Sequence, residues 1–301
     1  MRTKKTTFFS YIKTEITGLK IRGKLRTAET YKSALESFMK FRNENDILID
    51  SITSSLIEEY EGWLINRKVM PNTTSFYMRI LRALYNRAVE AMGLDNQYPF
   101  RKVYTGVDKT VKRAISIPIL KEIKQMNLVR HPALDYARDM FLLSFCLRGM
   151  SLVDMAFLRK SDLRNGYVTY RRRKTGQVMS VAWTKEMQMI VDKYGDNPSD
   201  YLLPIIRRSN IRELPYYKNV GHNINRALCK IGDILGIEIP LTLYVARHSW
   251  ASVAQAKGVP LSVISKGLGH ESESTTRIYL ANLNTTLIDN ANALVIASIL
   301  D

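Results

Sequence analysis

Apolar residues recur at helical spacing through most of the chain, and the recurrence divides it into elements. Phe8, Phe9, Tyr11, Ile12 and Ile16 predict a short amphipathic helix over 8–17 that ends at Gly18. A second helix starts near Thr27, a suitable cap, and repeats Tyr31, Leu35, Phe38 and Phe41. A third opens with Ser55-Leu56-Ile57-Glu58, the spacing of a capping box, and carries Leu56, Tyr60, Trp63 and Leu64. A fourth follows Pro71-Asn72-Thr73-Thr74, carries Phe76, Ile80, Leu84 and Val89, and is terminated by Gly93. These four helices span about a hundred residues, an ordinary domain.

Residues 94–113 hold Pro99 and Gly106 but no apolar period, so they read as the join between two domains, with 106–113 as the linker. The expected division is 1–105, 106–113 and 114–301. Ser116-Ile117-Pro118 reads as a helix start, and an apolar helix runs from about Ala133 to Leu147, stopping at Arg148-Gly149. Ser151-Leu152-Val153-Asp154 opens another short helix. Tyr167–Tyr170 and Val178–Val181 alternate around Lys174-Thr175-Gly176, the signature of a β-hairpin. Helices follow at about 184–194, 218–235, 243–256 and 261–267, around Tyr279, and over about 285–299. The predicted class is mainly α with a small antiparallel sheet (α+β).

Charge changes this picture more than composition does. Apolar content of 46% is ordinary, but 45 basic against 28 acidic residues leaves a net charge of +17. A surplus of that size bears on partners, and nucleic acid is the usual one. Arg79, Arg82 and Arg87 on the fourth helix, and Arg171, Arg172 and Arg173 before the hairpin tip, are candidate DNA-phosphate contacts; a solvated surface is the competing reading. The basic start lacks an apolar signal-peptide core, and no stretch approaches the ~18 apolar residues of a membrane span. Cys146 and Cys229 lie in apolar helical patterns and read as reduced core residues, and the closely spaced Cys or His pairs of a zinc site are absent. A cytoplasmic protein is expected.

Six residues stand out chemically. Arg148 ends an almost wholly apolar helix, where a charge is costly without an anion; Asp154 or the helix C-terminal carbonyls would also satisfy it. Lys174 sits at the hairpin tip, where a solvated turn is the ordinary alternative. Tyr244 and Arg247, at i and i+3, face one cleft from one helix, and a structural carboxylate is an equally good partner for Arg247. His270 follows Gly267-Leu268-Gly269; a cap or core histidine would look the same. Tyr279 is one of 16 tyrosines, notable for its order after the others. A phenol attacks a phosphodiester only where cationic donors hold the phosphate, and arginine offers a planar fork for two of its oxygens.

The order Arg148, Lys174, Tyr244-x-x-Arg247, Leu268-Gly269-His270, Tyr279 resembles the tyrosine recombinase (phage integrase) family. So do the local texts Leu147-Arg148-Gly149-Met150-Ser151-Leu152-Val153-Asp154 and Ala246-Arg247-His248-Ser249-Trp250-Ala251. The resemblance implies a core-binding domain in the four-helix unit and a catalytic domain after it. It makes Arg148 and Arg247 phosphate clamps, Lys174 the hairpin lysine that protonates the leaving oxygen, His270 a further cationic donor and Tyr279 the nucleophile of a 3′-phosphotyrosyl intermediate. It implies no metal and no cofactor. It implies double-stranded DNA with a short specific site as partner, a homo-oligomer on DNA (a tetrameric synapse with the C-terminal tail docked in trans) and an accessory DNA-bending protein. Tyr244 stands where the family often has histidine, and Asp154 where it often has glutamate, with the expected role of orienting the arginine or the His248 region. A non-catalytic DNA-binding regulator and a type IB topoisomerase are the competing functions.

Overall fold

The computed structural model describes residues 6–108, 113–195, 197–207, 213–270, 272, 273 and 276. The helix expected around Tyr279 and the tail helix over 285–299 lie outside them. The chain divides into two compact units, Met1–Thr110 and Val111–Asp301.

The first unit is built from α1 (Phe8–Ile21), α2 (Leu25–Phe41), α3 (Ser54–Asn66) and α4 (Pro71–Met92). Its centre is aromatic: the Phe38 ring meets those of Phe8, Phe9 and Tyr60 edge-on at 5.0–6.2 Å. The buried Tyr60 hydroxyl donates to Ser37 Oγ at 2.7 Å. Two boundaries differ from expectation. Helix α1 runs through Gly18 to Ile21 because Leu19 is buried in the core. Burying a leucine stabilises by about 1.5–3 kcal/mol, against about 1 kcal/mol lost to an interior glycine. The left-handed stop is Gly23, at φ +71°. Helix α3 is capped two residues earlier than the Ser55 capping box, by Thr53, whose Oγ1 accepts from the Leu56 N–H. Gly93 does end α4 in the left-handed region.

The segment 94–108 is packed structure, contrary to its reading as part of a linker. Phe100 and Val103 are buried in the first core, and Asn72 pairs with both backbone groups of Asp108. A period is missing because the segment is neither helix nor strand, so its apolar side chains follow no fixed spacing.

In the second unit α6 (Pro132–Cys146) is central, packing on α9 (Glu213–Ile234), α10 (Leu243–Ala256) and α8 (Lys185–Asp192). Its core joins Met140, Phe141, Leu143 and Leu147 to Leu228, Ile231, Val245 and Ala246. Helices α5 (Ile117–Gln125), α7 (Leu152–Ala156) and α11 (Leu261–Leu268) belong to the same unit. The sheet is an antiparallel meander, β1 (Leu163–Arg164), β2 (Tyr167–Arg171) and β3 (Val178–Ala182), with Val168 opposite Val181 and Tyr170 opposite Met179. Strand β1 went unpredicted, although Asn165-Gly166, both at positive φ, is the residue pair that a tight hairpin turn demands.

Candidate active site

Arg148 is held by the end of α6. The Gly149 N–H bonds to the Ser144 carbonyl and the Arg148 N–H to Phe145, so the helix closes with Arg148 in the left-handed position usually given to glycine, at φ +59°. An arginine there carries backbone strain of the kind that persists where the surroundings impose it. Its guanidinium is half-buried and has no hydrogen-bond or ion-pair partner among the described residues. Asp154 is not its counter-ion. That carboxylate accepts from Ser151 Oγ at 2.6 Å and from the Arg173 N–H at 2.9 Å, tying α7 to the hairpin turn. These bonds go to neither Arg148 nor His248, and the carboxylate reaches Arg247 only through its charge.

Arg247 enters from α10 and is almost fully buried. Gly149 lies against its backbone, and the Gly149 carbonyl accepts from Nη1 at 3.0 Å. Nη2 donates to the Leu268 carbonyl at 2.6 Å and to His270 Nε2 at 3.0 Å. No carboxylate bonds to it among the described residues, so the structural-carboxylate alternative fails. Burial, with the Arg172 charge beside it, lowers its pKa to about 10, which leaves it cationic at neutral pH.

An arginine can only donate, so His270 Nε2 accepts, and the ring proton sits on Nδ1, 2.7 Å from Thr276 Oγ1. Burial and the charges of Arg247, Arg172 and Lys174 depress the His270 pKa from 6.5 to about 4. His270 is therefore neutral at pH 7, which corrects its expected role as a cation. His248 is likewise depressed to about 4 by burial, Arg113 and Arg247. Its ring meets that of Tyr244 edge-on at 4.7 Å. Tyr244 is half exposed, and partial burial raises its pKa against the opposing charges of Arg247, Arg172 and Arg113. It is thus a protonated phenol at neutral pH, able to donate a hydrogen bond.

The hairpin supplies the remaining charge. Lys174 is exposed at the tip, close enough to His270 to lower its pKa. Tyr170 on β2 is pushed up to about 12 by burial and Asp154, opposed by Arg172, Arg247 and Arg148. One phenol thus senses three arginines from three elements. Arg148, Arg172, Arg247 and Lys174 form a positive region that no carboxylate among the described residues pairs with directly, Asp154 bonding instead to Ser151 and Arg173. Such a region suits a polyanion. No group of three or more His, Cys, Asp or Glu among the described residues is placed to hold a metal.

Arg79, Arg82 and Arg87 are all exposed on α4, and of the three hairpin arginines Arg172 alone leaves the surface. Arg172 is buried, whereas Arg171 donates to the Gly176 carbonyl and Arg173 stacks over the Phe157 ring at 3.7 Å. On α4, Arg87 bonds to the Tyr31 hydroxyl and pairs with Glu15 at 3.5 Å, committing it to the helical unit. Arg82 reaches Thr105, and Arg79 is exposed. Thr276, Arg113 and the inward turn of Arg172 were missed by sequence reasoning. Only Arg172 left a signal: it continues the alternation of Val168 and Tyr170. Tyr279 lies outside the described residues.

Comparison with known proteins names this arrangement. Residues 119–285, more than half of the chain, match the model of the phage integrase family, and residues 7–103 match that of the phage integrase SAM-like domain. The chain belongs to the phage integrase family. It is an enzyme of the tyrosine recombinase type. Its relatives include a tyrosine recombinase of Pseudothermotoga lettingae, 25% identical over 89% of this chain and 92% of that protein. The tyrosine recombinase XerD of Pseudomonas putida is 23% identical over 84% and 85%. Among solved structures, a lambda integrase tetramer bound to a Holliday junction shares the fold at TM-score 0.71 and 17% identity, over 92% of this chain and 78% of that one. The Tn1549 transposon integrase in complex with a circular intermediate DNA shares it at TM-score 0.68 and 15% identity, over 97% and 99%. Among the described residues of this integrase, no helix is long and apolar enough to cross a membrane.

Proposed function

We propose that this integrase exchanges DNA strands at a short specific site through a covalent link to Tyr279. The phenolic oxygen attacks the scissile phosphorus and its proton leaves to solvent. The bond from phosphorus to the 5′ oxygen breaks, Lys174 protonates that oxygen, and a 3′-phosphotyrosyl ester remains. The 5′ hydroxyl of a partner strand then attacks the ester and releases the tyrosine, so the phosphodiester bond is conserved. Arg148 and Arg247 neutralise the charge that builds on the phosphoryl oxygens. His270, neutral, holds Arg247 through Nε2 and is itself fixed by the hydrogen bond that its Nδ1–H donates to Thr276 Oγ1; Tyr244 donates a hydrogen bond.

The observation that carries this reading is the gathering of Arg148, Arg172, Arg247 and Lys174 with no carboxylate partner among the described residues. The +17 charge supports double-stranded DNA as substrate. Relatives seen as a tetramer on a DNA junction support assembly of this chain on DNA. The first unit acts as the core-binding domain, residues 285–301 dock in a neighbouring protomer, an accessory protein bends the DNA, and the enzyme works in the cytoplasm.

Covalent capture tests the reading. A library of random-sequence duplexes, each nicked so that the cleaved end diffuses away, is incubated with the protein, and denaturant-resistant adducts are sequenced. Wild type should yield a consensus site and Tyr279→Phe none. No adduct from wild type on any duplex would overturn it in favour of a regulator, and adducts without a consensus would favour a topoisomerase. Arg247→Lys keeps the charge but loses the fork, so cleavage should fall far more than binding. Removal of residues 285–301 should leave single-site binding but weaken pairing of two sites, and unchanged pairing would end the trans-docking proposal.

A further inference from the structure

Arg172 is one of three consecutive arginines, yet it alone points inward. Strand β2 alternates, so Val168, Tyr170 and the residue that follows in register, Arg172, share the buried face, while Arg171 and Arg173 turn away. Burying a guanidinium costs several kcal/mol unless its donors are satisfied. Here the partner is the Gly269 carbonyl, in the residue immediately before His270. The approach is close: Gly269 sits at φ +64°, and a side chain there would meet Arg172 Cδ at 3.2 Å and Met179 Sδ at 3.0 Å. Backbone bonds from the same residue close the hairpin turn. The Arg172 N–H donates to the Gln177 carbonyl at 2.8 Å and the Gly176 N–H to the Arg172 carbonyl at 2.7 Å. Between these anchors stands Lys174.

We infer that Arg172 is a positioning residue whose buried guanidinium ties the turn bearing Lys174 to the turn bearing His270, and so places the Lys174 ammonium at the leaving 5′ oxygen. The inference rests on the role proposed above for Lys174. In the step concerned, the phosphorus–oxygen bond breaks as the Tyr279 ester forms, and the proton that the 5′ oxygen gains comes from the Lys174 ammonium, leaving a neutral amine that reprotonates from solvent. Arg172 makes and breaks no bond in this step. Its other conceivable duty, direct neutralisation of the phosphate, would act on the oxygens that stay on phosphorus and not on the leaving group.

Those two duties are separated by a substrate whose leaving oxygen is replaced by sulfur. A 5′-bridging phosphorothiolate departs as a stable thiolate and needs no proton. On the captured site with ordinary oxygen, Arg172→Ala and Lys174→Ala should each slow adduct formation by about 10²-fold or more, the usual worth of a general acid. On the sulfur substrate both should return to within a few-fold of wild type. If Arg172→Ala stays as slow on sulfur as on oxygen while Lys174→Ala is rescued, Arg172 serves the phosphate or the fold and the inference is overturned. If Lys174→Ala itself is not rescued, the fault lies with the acid role of Lys174. Should Arg172→Ala prove unfolded by its thermal transition, Arg172→Lys keeps the stem and charge but loses the fork. The same oxygen-to-sulfur comparison then decides, a defect equal on both substrates again overturning the inference.

Discussion

Gly149 lies flat against Arg247: a Cβ on Gly149 would fall 2.4 Å from the Arg247 Cα and 2.7 Å from its Cβ and Cγ. With φ at +70°, the residue both requires the left-handed region and leaves no room for a side chain. Gly149→Ala should therefore destabilise by about 2–4 kcal/mol, combining overpacking with backbone strain. Gly93→Ala, at a similar φ of +61° but with nothing within 4 Å, should lose only about 1 kcal/mol. Chemical denaturation of the two variants measures the difference, and equal losses would mean that α6 and α10 can part without cost.

Arg148 occupies the left-handed end of α6 at the cost of backbone strain. Arg148→Gly should raise stability by about 1 kcal/mol while cutting adduct formation by about 10²-fold or more. A stabilised variant that still cleaves normally would show that Arg148 does not serve the phosphate.

His270 and His248 predict how stability depends on pH. Both are depressed in the fold from 6.5 to about 4, so between those values the unfolded chain binds protons that the folded chain refuses. Their contribution is complete above about pH 6.5, declines as pH falls toward about 4 and changes no further below that. The thermal transition of His270→Gln should thus fall less than that of wild type between pH 6.5 and 4. Parallel curves would place His270 in water.

On α4 the two arginines Arg79 and Arg87 should behave oppositely. Arg87→Ala loses the Tyr31 and Glu15 partners, and should cost about 1 kcal/mol of stability with little change in DNA affinity. Arg79→Ala should leave stability unchanged and reduce the salt dependence of DNA binding by about one phosphate contact. Titrations at several salt concentrations, with melting curves, distinguish them.

The helical layout was legible because amphipathic spacing, caps and terminating glycines act within a few residues. Gly93, Ser151 and the Gly176 turn are decided by their own φ or by one side chain bonding to a nearby N–H. The order of Arg148, Lys174, Arg247 and His270 was legible too, since each stands in a local text of recognisable form. Tertiary structure alone decided that Arg172 turns in while its neighbours turn out, because strand parity acquires meaning only once Gly269, 97 positions away, lies against it. It alone made His270 neutral, for burial and three flanking cations arrive from other elements. It alone gave the exposed Arg87 its partners, Tyr31 and Glu15 of neighbouring helices. Local hydrogen bonding and periodicity are written in consecutive residues; desolvation and charge proximity depend on which distant residues the fold brings within a few ångströms.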